Sequence, residues 1–374
     1  MNRRDFSRMM LSAATLPATA SAEASPDPTL EALQKRLRPG VFSPGPLNAI
    51  TDLAGVTVGH TTLIEADNIR TGVTAILPHT GNLFQQKTPA AVYVGNAFGK
   101  LAGSTQVNEL GNLETPILLT NTLSVGAAIE GAVRYTLAQP GNERVYSVNA
   151  LVGETNDATL NDIRGLHLRP EHALSAIAAA KPGPVPQGSV GAGTGTICFG
   201  WKGGIGTASR LLPAKLGAYT VAALLQTNFG GQLVMNGYPV GAAFGKKLYS
   251  ADGSCMIVIA TDAPLSHRSL TRLAKRAIFG LARTGSAYSN GSGDFAIAFS
   301  TYPGNRVPHT GNGPEPATDL SNNAISPLFE AALEVVEESV YNSLLHATTT
   351  TGNGHTIEAL PKDKLAALLA KYPS

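Results

Sequence analysis

A glycine–serine pair directly before a long apolar run combines two residue types that can carry covalent chemistry. Gly253-Ser254 precedes CMIVIATDAP, so Ser254 is predicted to begin a buried strand. At such a junction the serine hydroxyl can attack the preceding carbonyl; an N→O acyl shift follows, and water hydrolyses the ester. Glycine at 253 permits the backbone geometry of this attack, and the freed serine carries an α-amine that can act as a base. A plain turn is the other interpretation, since Gly-Ser turns are common.

The other candidate motifs do not favour nucleotide or metal chemistry. The glycine-rich stretch 188–210 has no GxGxxG opening a helix and no GK[ST], so its glycines are predicted to form tight turns whose amides line a site. Residues 252–256, DGSCM, do not satisfy the GxSxG pattern of a hydrolase elbow. The eight histidines include no HExxH pair, and His60 is predicted to make a buried hydrogen bond. The sequence therefore predicts no metal and no cofactor.

The elements that must position these residues are short strands and longer helices that do not alternate as clean βαβ units. Strands are predicted from Ile50 onward and later at 218–227, 255–261 and 295–300; helices are predicted at 124–137, 170–180, 266–284 and 327–347. This mixture favours a layered α/β sandwich over a doubly wound sheet. In the last helix the acids are predicted to form a solvated face: Glu330, Glu334, Glu337 and Glu338.

Composition excludes several classes of protein. The 374 residues carry 28 Lys+Arg against 26 Asp+Glu without a basic block, which argues against nucleic-acid binding. Hydrophobic residues make up 43% and charged residues 14%, the balance of a folded chain. Cys198 and Cys255 are too few for a disulfide scaffold and are predicted to be buried free thiols. Because strand side chains alternate, that of Cys255 should point away from that of Ser254.

The N-terminus has the pattern of an export signal. Residues 1–24 have a basic start, a short apolar stretch and small residues near Ala20–Ala24, which predicts a secretory signal peptide. Arg3-Arg4 followed by Asp5-Phe6 resembles a twin-arginine signal. We therefore expect a periplasmic or secreted protein that has no membrane segment once the signal is removed.

Long segments spread over the chain resemble one family. The similarity covers essentially residues 41–361 and is carried by GPLNAITDLAGVTVGHTT (45–62), GNAFGKLAGSTQVNELGNLETPILLTNTLSVG (95–126), GETNDATLNDIRG (153–165), VGAGTGTICFGWKGGIGTASR (190–210), LLQTNFG (224–230), NGSGDFAIAFST (290–301) and the segment 327–361. These segments resemble the L-aminopeptidase D-Ala-esterase/amidase family, which includes the β-peptidyl aminopeptidases.

The resemblance implies a self-processing hydrolase similar to the N-terminal-nucleophile hydrolases. It implies a four-layer α/β/β/α sandwich, in one catalytic domain spanning 25–374. Self-cleavage would give an α chain, 25–253, and a β chain, 254–374, and family members assemble as tetramers of αβ units. The implied substrates are short peptides, amino acid amides or esters, with L-α, D-α and β-amino acids all open. No cofactor is implied.

The resemblance also implies roles for individual residues. Ser254 matches the nucleophile, and Ser292 and Asp294 in NGSGD match the serine and acid that polarise and orient it. Asn228 in LLQTNFG matches the asparagine that stabilises the oxyanion, and Glu154 in GETND matches the acid that holds the substrate ammonium. The ordinary alternatives are a Ser/Asp turn, a strand-end asparagine and a loop salt bridge.

One position departs from the family pattern. Asn156 stands where some members have a tyrosine that assists the oxyanion. Either Asn156 supplies a weaker donor, or stabilisation rests on Asn228 and backbone amides. The departure bears on efficiency and substrate preference more than on the class of reaction.

Two other functions remain open at this point. An acyltransferase with the architecture of ornithine acetyltransferases would share the fold, but those enzymes use a threonine nucleophile where this chain has Ser254. A non-catalytic periplasmic binding protein could keep the fold and lose the processing. Acyl transfer to an added amine would indicate the first, and an uncut chain would indicate the second.

Overall fold

The computed structural model describes residues 27–246, 253–314 and 317–372, so the predicted signal peptide and the residues directly before Gly253 lie outside the described residues. Its helices are α1 Pro28–Leu37, α2 Ser104–Leu110, α3 Val125–Leu137, α4 Pro170–Ala178, α5 Val240–Ala243, α6 His267–Arg283, α7 Ser326–Leu345 and α8 Lys362–Leu369. Its strands are β1 Thr57–Glu65, β2 Ile69–Leu77, β3 Gln86–Ala97, β4 Leu101–Ala102, β5 Asn112–Leu113, β6 Ile117–Asn121, β7 Leu151–Thr155, β8 Ile197–Cys198, β9 Trp201–Lys202, β10 Gly204–Leu211, β11 Thr220–Asn228, β12 Gly253–Thr261, β13 Ser292–Ser300, β14 Val307–Pro308, β15 Thr350–Gly352 and β16 His355–Ile357.

Two mixed sheets form the centre of the molecule. The larger has the strand order β10-β11-β12-β13-β3-β14, with β5 also paired to β3, and the smaller has the order β1-β2-β6-β7-β4. Pairing is antiparallel except between β12 and β13 and between β6 and β7. Each sheet therefore has one parallel pair of neighbouring strands, and both pairs contribute to the site described below.

Helices cover the outer face of each sheet. α6 and α7 pack on the larger sheet, and α3 and α4 pack on the smaller one. Between the sheets lies an apolar layer that includes Ile76 and Leu119 from one sheet and Val258 and Ile297 from the other. The predicted four-layer α/β/β/α sandwich is confirmed. None of the described helices combines the length and apolar character needed to span a bilayer.

Alternation along β12 explains its almost continuous apolar sequence. Met256 and Val258 face the layer between the sheets, whereas Cys255, Ile257 and Ile259 face α6 and α7. Since both faces of the strand are covered, both sets of side chains must be apolar. The period of two places the side chain of Ser254 on the inter-sheet side, away from Cys255, as predicted.

The predicted solvated face of α7 is wrong for three of its four acids. Glu330 is exposed, but Glu334, Glu337 and Glu338 are buried. Fully buried Arg210 on β10 binds Glu334 through Nε at 2.7 Å and Glu338 through Nη2 at 2.6 Å. A buried carboxylate needs such a counter-charge, and α7 is covered by β10 on one side and α6 on another. The acids therefore bind a cation inside the protein instead of facing water.

Candidate active site

Three neighbouring strands bring the predicted catalytic residues to one end of the larger sheet. Asn228 is the last residue of β11 and lies opposite Ser254 in the antiparallel register. Ser292 begins β13 and lies beside Gly253 in the parallel register. Because β12 lies between the other two strands, the Gly253–Ser254 bond is at the centre of this group.

The smaller sheet contributes the opposite wall of the site. A cavity of about 650 Å³ lies at this end of the sandwich. Ser254 and Asn228 line it from the larger sheet, and Glu154 and Asn156 line it from β7 and the residues after it. The structure thus brings four of the six predicted catalytic and substrate-binding residues into one cavity, whereas Ser292 and Asp294 lie buried beside it on β13.

The Ser254 hydroxyl is in contact with the bond that it is predicted to cleave. Ser254 Oγ donates a short hydrogen bond to the carbonyl oxygen of Gly253. It also accepts a weak hydrogen bond from the Gly293 N–H at 3.4 Å. The residue is only 6% exposed, and it is among those that line the cavity. The hydroxyl is therefore held next to the preceding carbonyl group.

Close packing explains why residue 253 is glycine. A Cβ atom at this position would lie 2.2 Å from the carbonyl oxygen of Asn228 and 2.6 Å from the Cα of Phe229. Both are backbone atoms, one at the last residue of β11 and one at the residue after it, and moving them away would disturb the β11–β12 pairing. A larger residue would therefore displace the carbonyl group that Ser254 contacts.

Ser292 and Asp294 form a buried pair on the adjacent strand. Ser292 Oγ donates to Asp294 Oδ2 at 2.8 Å, as expected for two side chains on the same face of a strand. In the register, Asp294 lies beside Cys255 and Gly293 lies beside Ser254. The pair thus occupies the face opposite to the Ser254 side chain, and no hydrogen bond joins it to the Ser254 hydroxyl among the described contacts.

Burial changes the acidity of Asp294. The residue is fully buried, and burial raises its pKa from 3.8 to about 6, although the Ser292 hydrogen bond opposes part of the shift. Its second oxygen, Oδ1, has no hydrogen-bond partner. An unsatisfied buried carboxylate oxygen can accept a hydrogen bond from a further donor.

The oxygen of the Asn228 side-chain amide is hydrogen-bonded to the backbone. Asn228 Oδ1 accepts a hydrogen bond from the Ile197 N–H at 2.9 Å. This contact fixes the orientation of the amide and leaves its NH₂ group as the side available to a ligand in the cavity. An NH₂ group is one of the donors that can stabilise an oxyanion.

Glu154 lies at the end of β7, and both of its oxygens accept hydrogen bonds. Oε2 accepts a short hydrogen bond from the Thr122 hydroxyl. Oε1 accepts one from the backbone N–H of Lys100 and one from its Nζ, both at 3.1 Å. The salt bridge that was the alternative for Glu154 is therefore present, although it forms on a strand at the cavity and not in a surface loop.

Asn156 is exposed at the edge of the cavity. Its Oδ1 accepts the N–H of Ala158 at 2.9 Å in a local turn. This contact again leaves an NH₂ group as the available donor, but the exposure of the residue makes it the more hydrated of the two amides.

The sequence prediction did not include Lys100. Lys100 is the last residue of the segment GNAFGK. This segment gives no sign of a carboxylate partner 54 residues further along the chain. Only the parallel pairing of β6 with β7 and the antiparallel pairing of β4 with β7 bring Thr122 and Lys100 to Glu154.

The cysteines and the other polar candidates do not take part in the site. Cys198 and Cys255 are free and buried, as predicted. Burial raises the pKa of the Cys198 thiol to about 12 and that of Cys255 well above its ordinary value, and a thiol must ionise to act as a nucleophile. His60 makes its predicted hydrogen bond, to the Thr74 hydroxyl at 2.9 Å. Within the described ranges, no group of acids, histidines and cysteines is arranged to hold a metal ion.

Comparison with known proteins gives consistent matches over most of the chain. Residues 48–357 match peptidase family S58. A β-peptidyl aminopeptidase of Sphingosinicella microcystinivorans is 42% identical, over 89% of this chain and 90% of that protein. A Burkholderia β-aminopeptidase structure is 41% identical with a TM-score of 0.85, covering 91% of this chain and 99% of the other.

A further match concerns the fold and the class of enzyme. The structure of L-aminopeptidase D-Ala-esterase/amidase from Ochrobactrum anthropi, described as a prototype for the serine aminopeptidases and a variant of the Ntn hydrolase fold, has a TM-score of 0.84. It is 33% identical, covering 91% of this chain and 98% of the other. The predicted family is confirmed: the chain belongs to peptidase family S58 and is a hydrolase of the aminopeptidase class.

Proposed function

We propose that the protein is a self-processing serine aminopeptidase that cuts its own chain between Gly253 and Ser254 and then uses Ser254 as nucleophile. One observation carries the proposal: the Ser254 hydroxyl contacts the Gly253 carbonyl group inside the cavity that Asn228 and Glu154 also line. A plain turn would not require a buried hydroxyl, a position with no space for a Cβ atom and a cavity large enough for a substrate, all at one point.

Self-cleavage proceeds through an ester. Ser254 Oγ attacks the Gly253 carbonyl carbon, and the C–N bond breaks as the Ser254 nitrogen takes the hydroxyl proton. Water then adds to the ester, giving a carboxylate on Gly253 and a free hydroxyl and α-amine on Ser254. The products are the chains 25–253 and 254–374, once the signal has been removed.

The new α-amine supplies the partner that Asp294 lacks. The nitrogen of Ser254 lies on β12 beside β13, where Ser292 and Asp294 occupy the positions on either side of Gly293. An amine here donates a hydrogen bond to Asp294 Oδ1 when it is neutral, and it adds an opposite charge when it is protonated. Ser292 and Asp294 therefore act on the amine of the nucleophile and not on its hydroxyl.

Substrate turnover repeats the chemistry on a second acyl group. Ser254 Oγ attacks the substrate carbonyl while its own neutral α-amine accepts the proton. The same amine returns the proton to the leaving group, and water releases the acyl product. The Asn228 NH₂ group stabilises the oxyanion, a donor of the kind that contributes about 3 kcal/mol to transition-state binding.

The proposed substrate has a free N-terminal ammonium. Glu154 is the buried carboxylate of the cavity, and an acid in that setting favours a cationic group. Short peptides, amides or esters with β-amino acids at the N-terminus are the first class to examine, because relatives from two Sphingosinicella species are named β-peptidyl aminopeptidases. We also propose export to the periplasm or medium and assembly as a tetramer of αβ units, on the basis of the N-terminal pattern and the family resemblance.

The test is the intact mass of the purified protein under denaturing conditions. We expect two chains, the smaller beginning at Ser254, and hydrolysis of β- or α-aminoacyl p-nitroanilides. The Ser254→Ala variant should be a single chain without activity. Self-cleavage or full activity in that variant would refute the role of Ser254. An uncut wild-type chain without activity would favour the binding protein, and acyl transfer to an added amine in place of water would favour the acyltransferase.

A further inference from the structure

A lysine ammonium already occupies the carboxylate that the proposed function assigns to the substrate. Lys100 Nζ lies 3.1 Å from Glu154 Oε1 and 3.2 Å from the carbonyl oxygen of Thr122. The Glu154 side chain is 3% exposed, whereas the Lys100 side chain is 49% exposed. The cation thus reaches a buried anion from the solvent side, through the cavity that both residues line.

The turn that carries Lys100 is shaped to approach the carboxylate closely. It connects β3 of the larger sheet with β4 of the smaller one, and Gly99 has a φ of +143°. A Cβ atom at Gly99 would lie 3.0 Å from Glu154 Oε1, tighter than most such contacts. Glycine therefore lets the backbone N–H of Lys100 donate to the same oxygen at 3.1 Å.

We propose that Lys100 is a tethered competitor for the ammonium site, and that it sets which amines Glu154 accepts. The inference rests on the proposed function, in which Glu154 holds the substrate ammonium. A lysine Nζ is a primary ammonium on an alkyl chain and closely copies the group that must bind. Its flexible, half-exposed stem can move into water when a substrate ammonium replaces it.

This arrangement has a consequence for selectivity. In the empty site the buried carboxylate keeps a counter-charge, which avoids an unpaired buried ion. When a simple alkylammonium binds Glu154, its interaction energy with the carboxylate only replaces the one that Lys100 gives up. Such an amine therefore binds weakly. A peptide or amide substrate replaces the lysine because it makes further contacts with the cavity. The lysine therefore excludes small amines and retains substrates that fill the site.

The test measures binding of n-propylammonium, which has no carbonyl group to react. The uncut Ser254→Ala protein is compared by calorimetry with Ser254→Ala carrying Lys100→Met, which keeps the stem and removes the charge. We expect the second protein to bind the probe about tenfold more tightly or better, and Ser254→Ala with Lys100→Arg to behave like the parent. Equal or weaker binding in the Met variant would overturn the proposal.

Turnover by the processed enzyme provides a second readout. In Lys100→Met we expect the KM for p-nitroanilide substrates with a free amine to fall several-fold, while kcat stays the same. A rise in KM would instead mean that Lys100 contacts the substrate directly, for instance its carboxylate, and would refute competition.

Glu154→Gln separates this inference from the proposed function. If Glu154→Gln leaves KM for free-amine substrates unchanged, recognition of the ammonium by Glu154 fails, and the inference fails with it. If Glu154→Gln raises KM strongly while Lys100→Met leaves probe binding and KM unchanged, the proposed function stands and only the competitor is refuted.

Discussion

The buried pair on β13 makes a prediction about the stability of the uncut chain. Asp294 is fully buried, one of its oxygens has no partner, and burial raises its pKa from 3.8 to about 6. Before the proposed cleavage, the chain has no ammonium at Ser254 to compensate for the charge of this carboxylate. We therefore expect ionisation of Asp294 to destabilise the uncut protein, and Asp294→Asn to remove this pH dependence.

The sign and size follow from linkage between protonation and folding. Between pH 3.8 and about 6, folded Asp294 retains its proton while the unfolded chain loses it. The free energy of unfolding therefore decreases as pH rises through this interval and is constant above it. The shift of about 2 pH units corresponds to about 3 kcal/mol, of which about 2 kcal/mol is lost between roughly pH 4.5 and 7.5.

The assay is urea unfolding of the Ser254→Ala protein with and without Asp294→Asn, at both pH values. For each protein we take the change in the free energy of unfolding between the two pH values, and we compare this change between the two proteins. Any pH-independent cost of the asparagine then cancels. Other buried acids with raised pKa values, such as Asp157, are present in both proteins and also cancel. Asp363→Asn, on the exposed face of α8, serves as the control variant and should leave the difference unchanged.

An equal pH dependence in the two proteins would refute the reasoning. It would mean that Asp294 is not forced to remain protonated by burial, and that the uncut chain supplies it with a compensating charge. A free energy of unfolding that falls more with pH in the Asp294→Asn variant than in its parent would refute it as well, because it would mean that the uncut fold stabilises the carboxylate and lowers its pKa.

The remaining predictions concern cleavage, catalysis and the buried ion cluster. Gly253→Ala should give one band instead of two on a denaturing gel, because its Cβ would lie 2.2 Å from the Asn228 carbonyl oxygen; normal cleavage would contradict this. Asn228→Ala should lower kcat by about 100- to 1000-fold in any processed enzyme, and a change in KM alone would argue against an oxyanion role. Arg210→Met should lower the free energy of unfolding by about 3 to 5 kcal/mol in urea titrations, because Glu334 and Glu338 lose their counter-charge; an unchanged midpoint would contradict this.

Much of the site could be predicted because it lies in continuous sequence next to recognisable elements. The apolar run after Ser254 forms β12, and LLQTN forms the end of β11 up to Asn228. Once both runs are taken as neighbouring antiparallel strands, the last residue of the first lies beside the start of the second, at one end of the sheet. Alternation along β12 was sufficient to separate the Ser254 side chain from that of Cys255.

Contacts between distant segments could not be predicted in the same way. Arg210 is 124 residues from Glu334, so the four acids of α7 have the pattern of a solvated face unless the strand that pairs with them is known. Lys100 and Glu154 meet only through strand pairing in the smaller sheet. The face on which Asp294 lies relative to Ser254 depends on the register of two parallel strands, which the spacing within NGSGD does not determine.

The two buried carboxylates at the site differ in one respect that bears on the order of events. Glu154 has its cation, Lys100, in the uncut chain, whereas Asp294 has an oxygen without a partner. In the proposed mechanism, cleavage creates one ammonium, at Ser254, and that group appears beside Asp294 and not beside Glu154. Cleavage therefore completes the half of the site that handles the nucleophile, while the half that receives the substrate ammonium is formed beforehand. It follows that loss of Asp294 should impair the nucleophile, and loss of Glu154 should impair substrate binding without preventing self-cleavage.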